Sequence, residues 1–231
     1  MNVEIIPTVV PAAFSDIPEV SQKYSGFTSF FQIDVADGNF APNTTWLPSK
    51  EDKLPEAYGY EVHLMVAKPA SVGTLFAEAG AHALIAHVET LGSAEQTKLL
   101  FEQWKALGVK QVGVAALLQT PLEMLEPYLP LADFILLMTI ARIGVQGIPY
   151  DPNALARVAE MHARHPDVVI AVDGGVSEQN IESLARAGAS RFGVGSAIAK
   201  AGDPAEAHAR LKVLAQGALA PNDALPLTGQ A

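Results

Sequence analysis

The sequence predicts a single α/β domain folded as a (β/α)8 TIM barrel. Three observations point to it. Eight short apolar runs recur along the chain, amphipathic segments of helical period separate most of them, and the pattern closes within about 200 residues. The runs are continuous rather than alternating, as expected of parallel strands covered on both faces.

In order, the predicted strands are VEIIPTVV (3–10), SFFQIDV (29–35), YEVHLM (60–65), ALIAHV (83–88), QVGVAA (111–116), FILLMTI (134–140), VVIAVDG (168–174) and SRFGVGS (190–196). Three intervening segments read clearly as helices. SAEQTKLLFEQWKAL (93–107) carries an apolar set at Leu99, Leu100, Trp104 and Leu107. PNALARVAEMHAR (152–164) behaves similarly, and SEQNIESLARAG (177–188) ends on Gly188, a natural helix stop. The connection GNFAPNTTWLPSKEDKLPEAYG (38–59) is rich in proline and reads mostly as loop. The barrel is expected to occupy residues 1–216 as one catalytic domain, and the weakly patterned GALAPNDALPLTGQA (217–231) to be a loosely ordered C-terminal tail.

Composition narrows the function classes. The chain has 231 residues, is 49% apolar and carries a formal net charge of −10 without a basic cluster, which argues against nucleic acid and anionic membranes as partners. It has no cysteine, so disulfides, iron–sulfur clusters and thiol catalysis are excluded. No apolar run is long enough to span a bilayer, and MNVEIIPTVV does not read as a signal peptide. A cytoplasmic enzyme is the expectation.

Active sites of such barrels lie at the C-terminal ends of the strands. Asp34 ends the second strand, His63 lies near the end of the third, His87 ends the fourth, Met138 the sixth and Asp173 the seventh, while Gly195 and Ser196 end the eighth. Two carboxylates facing each other across a cavity can remove a proton from one face of a substrate and return it to the other. Each Asp could instead cap the turn that follows it. Asp34, His63 and Asp173 together form a mixed nitrogen and oxygen set suited to a divalent metal. His87 reads as structural, or as a residue behind the ligands. The glycines of DGG (173–175), GVGS (193–196) and GVQG (144–147) either permit tight turns or bring main-chain N–H groups to a phosphate.

The stretches IPTVVPAAF, IDVADGNFAPNTTW, EVHLMVAKP, AEAGAHALIAHVE, LLMT, AVDGGVSEQNI and GVGSAI occur in the order found in the ribulose-phosphate 3-epimerase family, which the chain resembles from about residue 4 to 203. The resemblance implies an isomerase that inverts the carbon beside the ketone of a phosphorylated ketose through an enediolate. By motif position Asp34 matches the proton acceptor and Asp173 the proton donor, and Asp34, His63 and Asp173 match metal ligands. Thr8 stands where the family has a substrate-contacting Ser, Met65 and Met138 match residues packed around the reaction centre, and Gly174, Gly175, Gly195 and Ser196 match the phosphate-binding backbone. The implied cofactor is a divalent metal (Zn, Mn, Fe, Co or Mg), and the implied assembly a homo-oligomer.

Three departures accompany the resemblance. Gln32 stands at a fourth ligand position where the family has His, which predicts weaker or altered metal binding because an amide oxygen is a weaker donor than imidazole. MTIARIGVQGIPY (138–150) replaces the family's glycine-rich loop, with Gly144 and Gly147 aligned to its outer glycines, Gln146 at an inner one, and Arg142 as a candidate phosphate clamp or an ordinary loop residue. Ala36 replaces a Met, which would widen the pocket. The alternatives are another enediolate reaction of decarboxylase or aldolase type, and a non-catalytic sugar-phosphate binder.

Overall fold

The computed structural model describes residues 3–145 and 147–219. The eight apolar runs form eight parallel strands closed into one barrel in sequence order: β1 (Glu4–Val9), β2 (Phe30–Ala36), β3 (Gly59–Met65), β4 (Ala83–His87), β5 (Gln111–Ala116), β6 (Phe134–Met138), β7 (Ile170–Asp173) and β8 (Ala189–Val194). Nearly every strand residue is buried, which explains why the runs are continuous. Residues pointing outward, such as Val35, Leu64 and Val172, pack beneath the helices in the main core. Those pointing inward, among them Ile85, Ala115, Phe134, Leu136 and Ala171, fill the barrel itself.

The helices are α1 (Asp16–Tyr24), α2 (Pro69–Glu78), α3 (Ala94–Ala106), α4 (Asn153–Arg164), α5 (Ile181–Arg186), the single turn α6 (Ser196–Ala199) and α7 (Pro204–Leu219). A 3₁₀ turn at Leu122–Tyr128 takes the helix position between β5 and β6. The long connection from β2 to β3 contains no described helix, as its prolines predict. Ser93 and Gln96 form a reciprocal capping box that starts α3. Past the end of α5, Gly188 has a φ of +114°, a conformation that side chains disfavour.

Two expectations are revised. The buried face of α3 is Thr97, Phe101 and Trp104, while Leu99 and Leu107 are exposed. The helix has two apolar ridges, and the aromatic one, with more area to hide, turns inward. The last helix runs on to Leu219, so residues 217–219 continue it; the remainder of the expected tail lies outside the described residues. No described helix is long and apolar enough to cross a membrane.

Strand register stacks the barrel interior in layers. Near the N-terminal end, buried Arg191 bonds Glu61, donates to Gln111 and lies 4.2 Å over the Phe134 ring. Burial pushes the Glu61 carboxyl up to about 7, although the Arg191 charge opposes the shift. This ion pair closes the end of the barrel opposite the strand-end polar residues.

Candidate active site

At the C-terminal end, register brings distant residues to one level. Thr8 pairs with Gln32, Asp34 with His63, Met138 with Asp173, and Asp173 with Gly193. Period-two alternation turns Gln32 and Asp34 to the same side of β2, into the barrel.

The two carboxylates converge on one nitrogen. Gln32 Nε2 donates to Asp34 Oδ1 at 2.7 Å and to Asp173 Oδ2 at 2.7 Å. His63 Nδ1 lies 3.2 Å from the same Asp34 oxygen and 3.3 Å from the same Asp173 oxygen. Gln32 and His63 are wholly buried, and the two Asp residues are exposed only at their tips. Gly193 makes room for the arrangement, because a Cβ there would stand 3.1 Å from both Asp173 Cγ and Gln32 Oε1.

This crowding sets the electrostatics. Burial, and then the charge of Asp173, holds the Asp34 carboxyl above the usual carboxylate range, against the opposing hydrogen bonds of His63 and Gln32. Burial alone would lower the basicity of His63. Its bonds to Asp173 and Asp34 outweigh burial and lift it to about 9. Behind it, His63 Nε2 meets His87 Nε2 at 2.8 Å, and His87 Nδ1 meets Glu89 Oε2 at 3.2 Å. His87 is depressed to about 4, mainly by burial. Glu89 is lowered to about 2 because hydrogen bonds from His87, Thr120 and Leu117 overcome its burial.

Asp34, His63 and Asp173 each offer a ligand atom within 4.8 Å of the others. Ligands at about 2.0–2.2 Å from one ion are themselves about 3.0–3.5 Å apart, so the observed 3.2 and 3.3 Å separations fit a divalent metal. Gln32 fits as well. Its Oε1 is buried without a hydrogen-bond partner, and half a turn of the amide would exchange it with the Nε2 that now touches both carboxylates. An oxygen at that point would face two ionised carboxylates unless a cation or a carboxyl proton lay between them.

Above these groups opens a narrow cleft with about 50 Å³ of enclosed free volume. Its lining contains Thr8, Asp34, Met65, Met138, Gly144, Gly147, Asp173, Gly174, Gly175, Gly195 and Ser196, all singled out in the sequence. Arg142 is not among them. It is exposed, because Ile140 and Ile143 on either side of it turn into the apolar floor and leave Ala141 and Arg142 outside. Gln146 lies outside the described residues. Ala36 is fully buried in that floor rather than in the cleft wall. Sequence reasoning named Gly193 only as part of GVGS and missed the room it makes for Asp173 and Gln32; it also missed the wall residues Val10, Val145 and Ile148 and the partner of His87. The spacing of His87 and Glu89, two apart at a strand end, was the available signal.

A model of the ribulose-phosphate 3 epimerase family matches residues 4–199. The chain belongs to this family. It is 32% identical to ribulose-phosphate 3-epimerase from Synechocystis sp. over 218 residues, 91% of this chain and 94% of that one. It is 31% identical to the ribulose-phosphate 3-epimerase of Mycobacterium bovis over 214 residues, 90% of this chain and 91% of that one. Among solved structures, KGPDC from Streptococcus mutans aligns with a TM-score of 0.67 at 11% identity, covering 94% of this chain and 99% of that one. The 3-hexulose-6-phosphate synthase of Salmonella typhimurium gives 0.65 at 16% identity, covering 94% and 100%. These two likenesses are of fold. Family membership makes the chain an isomerase acting on carbohydrates.

Proposed function

We propose that the chain is a sugar-phosphate 3-epimerase that interconverts ribulose 5-phosphate and xylulose 5-phosphate or a near relative. One observation carries the reading: Asp34 and Asp173, 139 positions apart in sequence, meet at a shared partner on the floor of one cleft. A non-catalytic binder of an anionic sugar gains nothing from two buried carboxylates beside its ligand.

Asp34, whose burial raises its affinity for a proton, takes the proton from the carbon beside the ketone. Asp173 returns one to the opposite face, so a single proton serves the pair and passes in net terms from Asp173 to Asp34 in one direction and back in the other. One shared proton also relieves the repulsion of two close carboxylates. Bound to Asp34, His63 and Asp173, with the Gln32 amide oxygen as a weaker fourth donor, a divalent ion would supply positive charge to the anion formed when the proton leaves. Without the ion, Gln32 Nε2 and His63 hold the two carboxylates in place. Met65, Met138 and Ile140 keep the floor dry, which strengthens every charge interaction there. Gly174, Gly175, Gly195 and Ser196, after β7 and β8, offer main-chain N–H groups to the phosphate, with Gly144 and Gly147 on the facing loop and Thr8 beside the sugar.

The test is epimerisation by Asp34→Asn and Asp173→Asn. Each variant should lose roughly 10²–10⁴-fold in kcat while still binding the sugar phosphate. Either variant turning over at the wild-type rate would remove the two-carboxylate mechanism.

A further inference from the structure

We propose that Glu89 and His87 are positioning residues that fix the tautomer of His63 and thereby aim its Nδ1 lone pair at the point between Asp34 and Asp173. The inference rests on reading His63 as a metal ligand, and it follows from counting donors. The main-chain N–H of Leu117 can only donate, and it donates to Glu89 Oε1 at 2.9 Å. The Thr120 hydroxyl donates to the same oxygen. Both loop residues are pinned in turn, since the Arg157 guanidinium of α4 donates to the carbonyls of Leu117 and Thr120. Glu89 Oε2 is left facing His87 Nδ1 at 3.2 Å. A carboxylate accepts only, so the proton of His87 is on Nδ1.

The rest follows along the chain. With Nδ1 protonated, neutral His87 has a bare Nε2, which at 2.8 Å can only accept from His63 Nε2–H. Neutral His63 then carries its lone pair on Nδ1, at 3.2 and 3.3 Å from the two carboxylate oxygens. Three electron-rich atoms facing one another call for a cation at their centre. A carboxylate behind a ligating histidine fixes its ring and raises its basicity; here the effect is relayed through a second imidazole.

Glu89→Gln reverses the relay without changing its shape. The amide oxygen must stay with the Leu117 N–H, so the amide NH₂ turns to His87 Nδ1 and makes it an acceptor. His87 then donates from Nε2, and the proton of His63 moves to Nδ1, where it blocks ligation. Glu89→Ala breaks the relay without reversing it.

The experiment combines calorimetric titration with Mn²⁺ and Zn²⁺ and imidazole ¹⁵N NMR of the metal-free proteins at a pH above about 9, where His63 is neutral. In the wild type His87 should be protonated on Nδ1 with Nε2 bare, and in Glu89→Gln on Nε2. Metal affinity should fall roughly 10–100-fold in Glu89→Gln and by less in Glu89→Ala. If Glu89 merely braces the loop after β5, the isosteric Gln is the milder change and Ala the worse one, which is the opposite order. That order, wild-type affinity in Glu89→Gln, or a wild-type His87 protonated on Nε2 would each overturn the relay. A wild type that binds neither ion would count against the metal-assisted epimerase instead, and the tautomers, read without metal, would still decide the relay.

Discussion

Replacing Gln32 by leucine tests the floor of the site most sharply. The side chain is fully buried and nearly isosteric with leucine, so packing changes little while two hydrogen bonds of 2.7 Å to carboxylates disappear. Hydrogen bonds to charged groups contribute about 1.5–3 kcal/mol each, which sets an upper bound of about 3–6 kcal/mol for their joint loss. The protein recovers part of this. Asp34 already holds its proton more tightly than an ordinary carboxyl, and once protonated it can donate to Asp173. The net cost for the metal-free protein at neutral pH is therefore about 2–3 kcal/mol, measured by urea unfolding in EDTA for wild type and Gln32→Leu. Gln32→His, which restores a nitrogen donor at the same point, should keep most of the lost stability and bind Mn²⁺ or Zn²⁺ more tightly than wild type. A loss below about 0.5 kcal/mol in Gln32→Leu, the size of an ordinary surface change, would mean that the amide does not hold the carboxylates together.

Other outcomes follow from the same geometry. Arg191→Met leaves Glu61 buried without its partner and should cost about 3 kcal/mol in urea unfolding with kcat unchanged, because the pair closes the end of the barrel away from the cleft. A fall in kcat with stability intact would contradict that division of labour. In the metal-free protein His63 binds its proton more tightly folded than unfolded, at about 9 against an ordinary 6.5. Its contribution is therefore complete below 6.5 and disappears as pH rises through about 9. Unfolding in EDTA should show stability declining across that range, and His63→Gln should flatten the decline. An unchanged decline in the variant would assign it to another group.

Much of this architecture is legible in the sequence because its physics is local. Continuous apolar runs mark strands covered on both faces, and the strand-end rule alone collects Asp34, His63 and Asp173 into one group. What stays hidden depends on register and on competition between faces. That one amide touches carboxylates on β2 and β7 requires knowing which residues share a layer, and Gly193 matters only because its missing Cβ lets Asp173 and Gln32 meet. The inward face of α3 is a contest between two apolar ridges that periodicity alone does not decide. Arg142 has the right charge beside the right loop, yet its position is set by the burial of Ile140 and Ile143 on either side.

Two opposed carboxylates that act as acid and base should exchange the proton at C3 of a ketose phosphate. The direct measurement is NMR of ribulose 5-phosphate incubated with the protein in D₂O, with and without added Mn²⁺ or Zn²⁺. Deuterium appearing at C3 together with xylulose 5-phosphate, at a rate raised by the metal, is the predicted result. Unchanged substrate with every metal would contradict it.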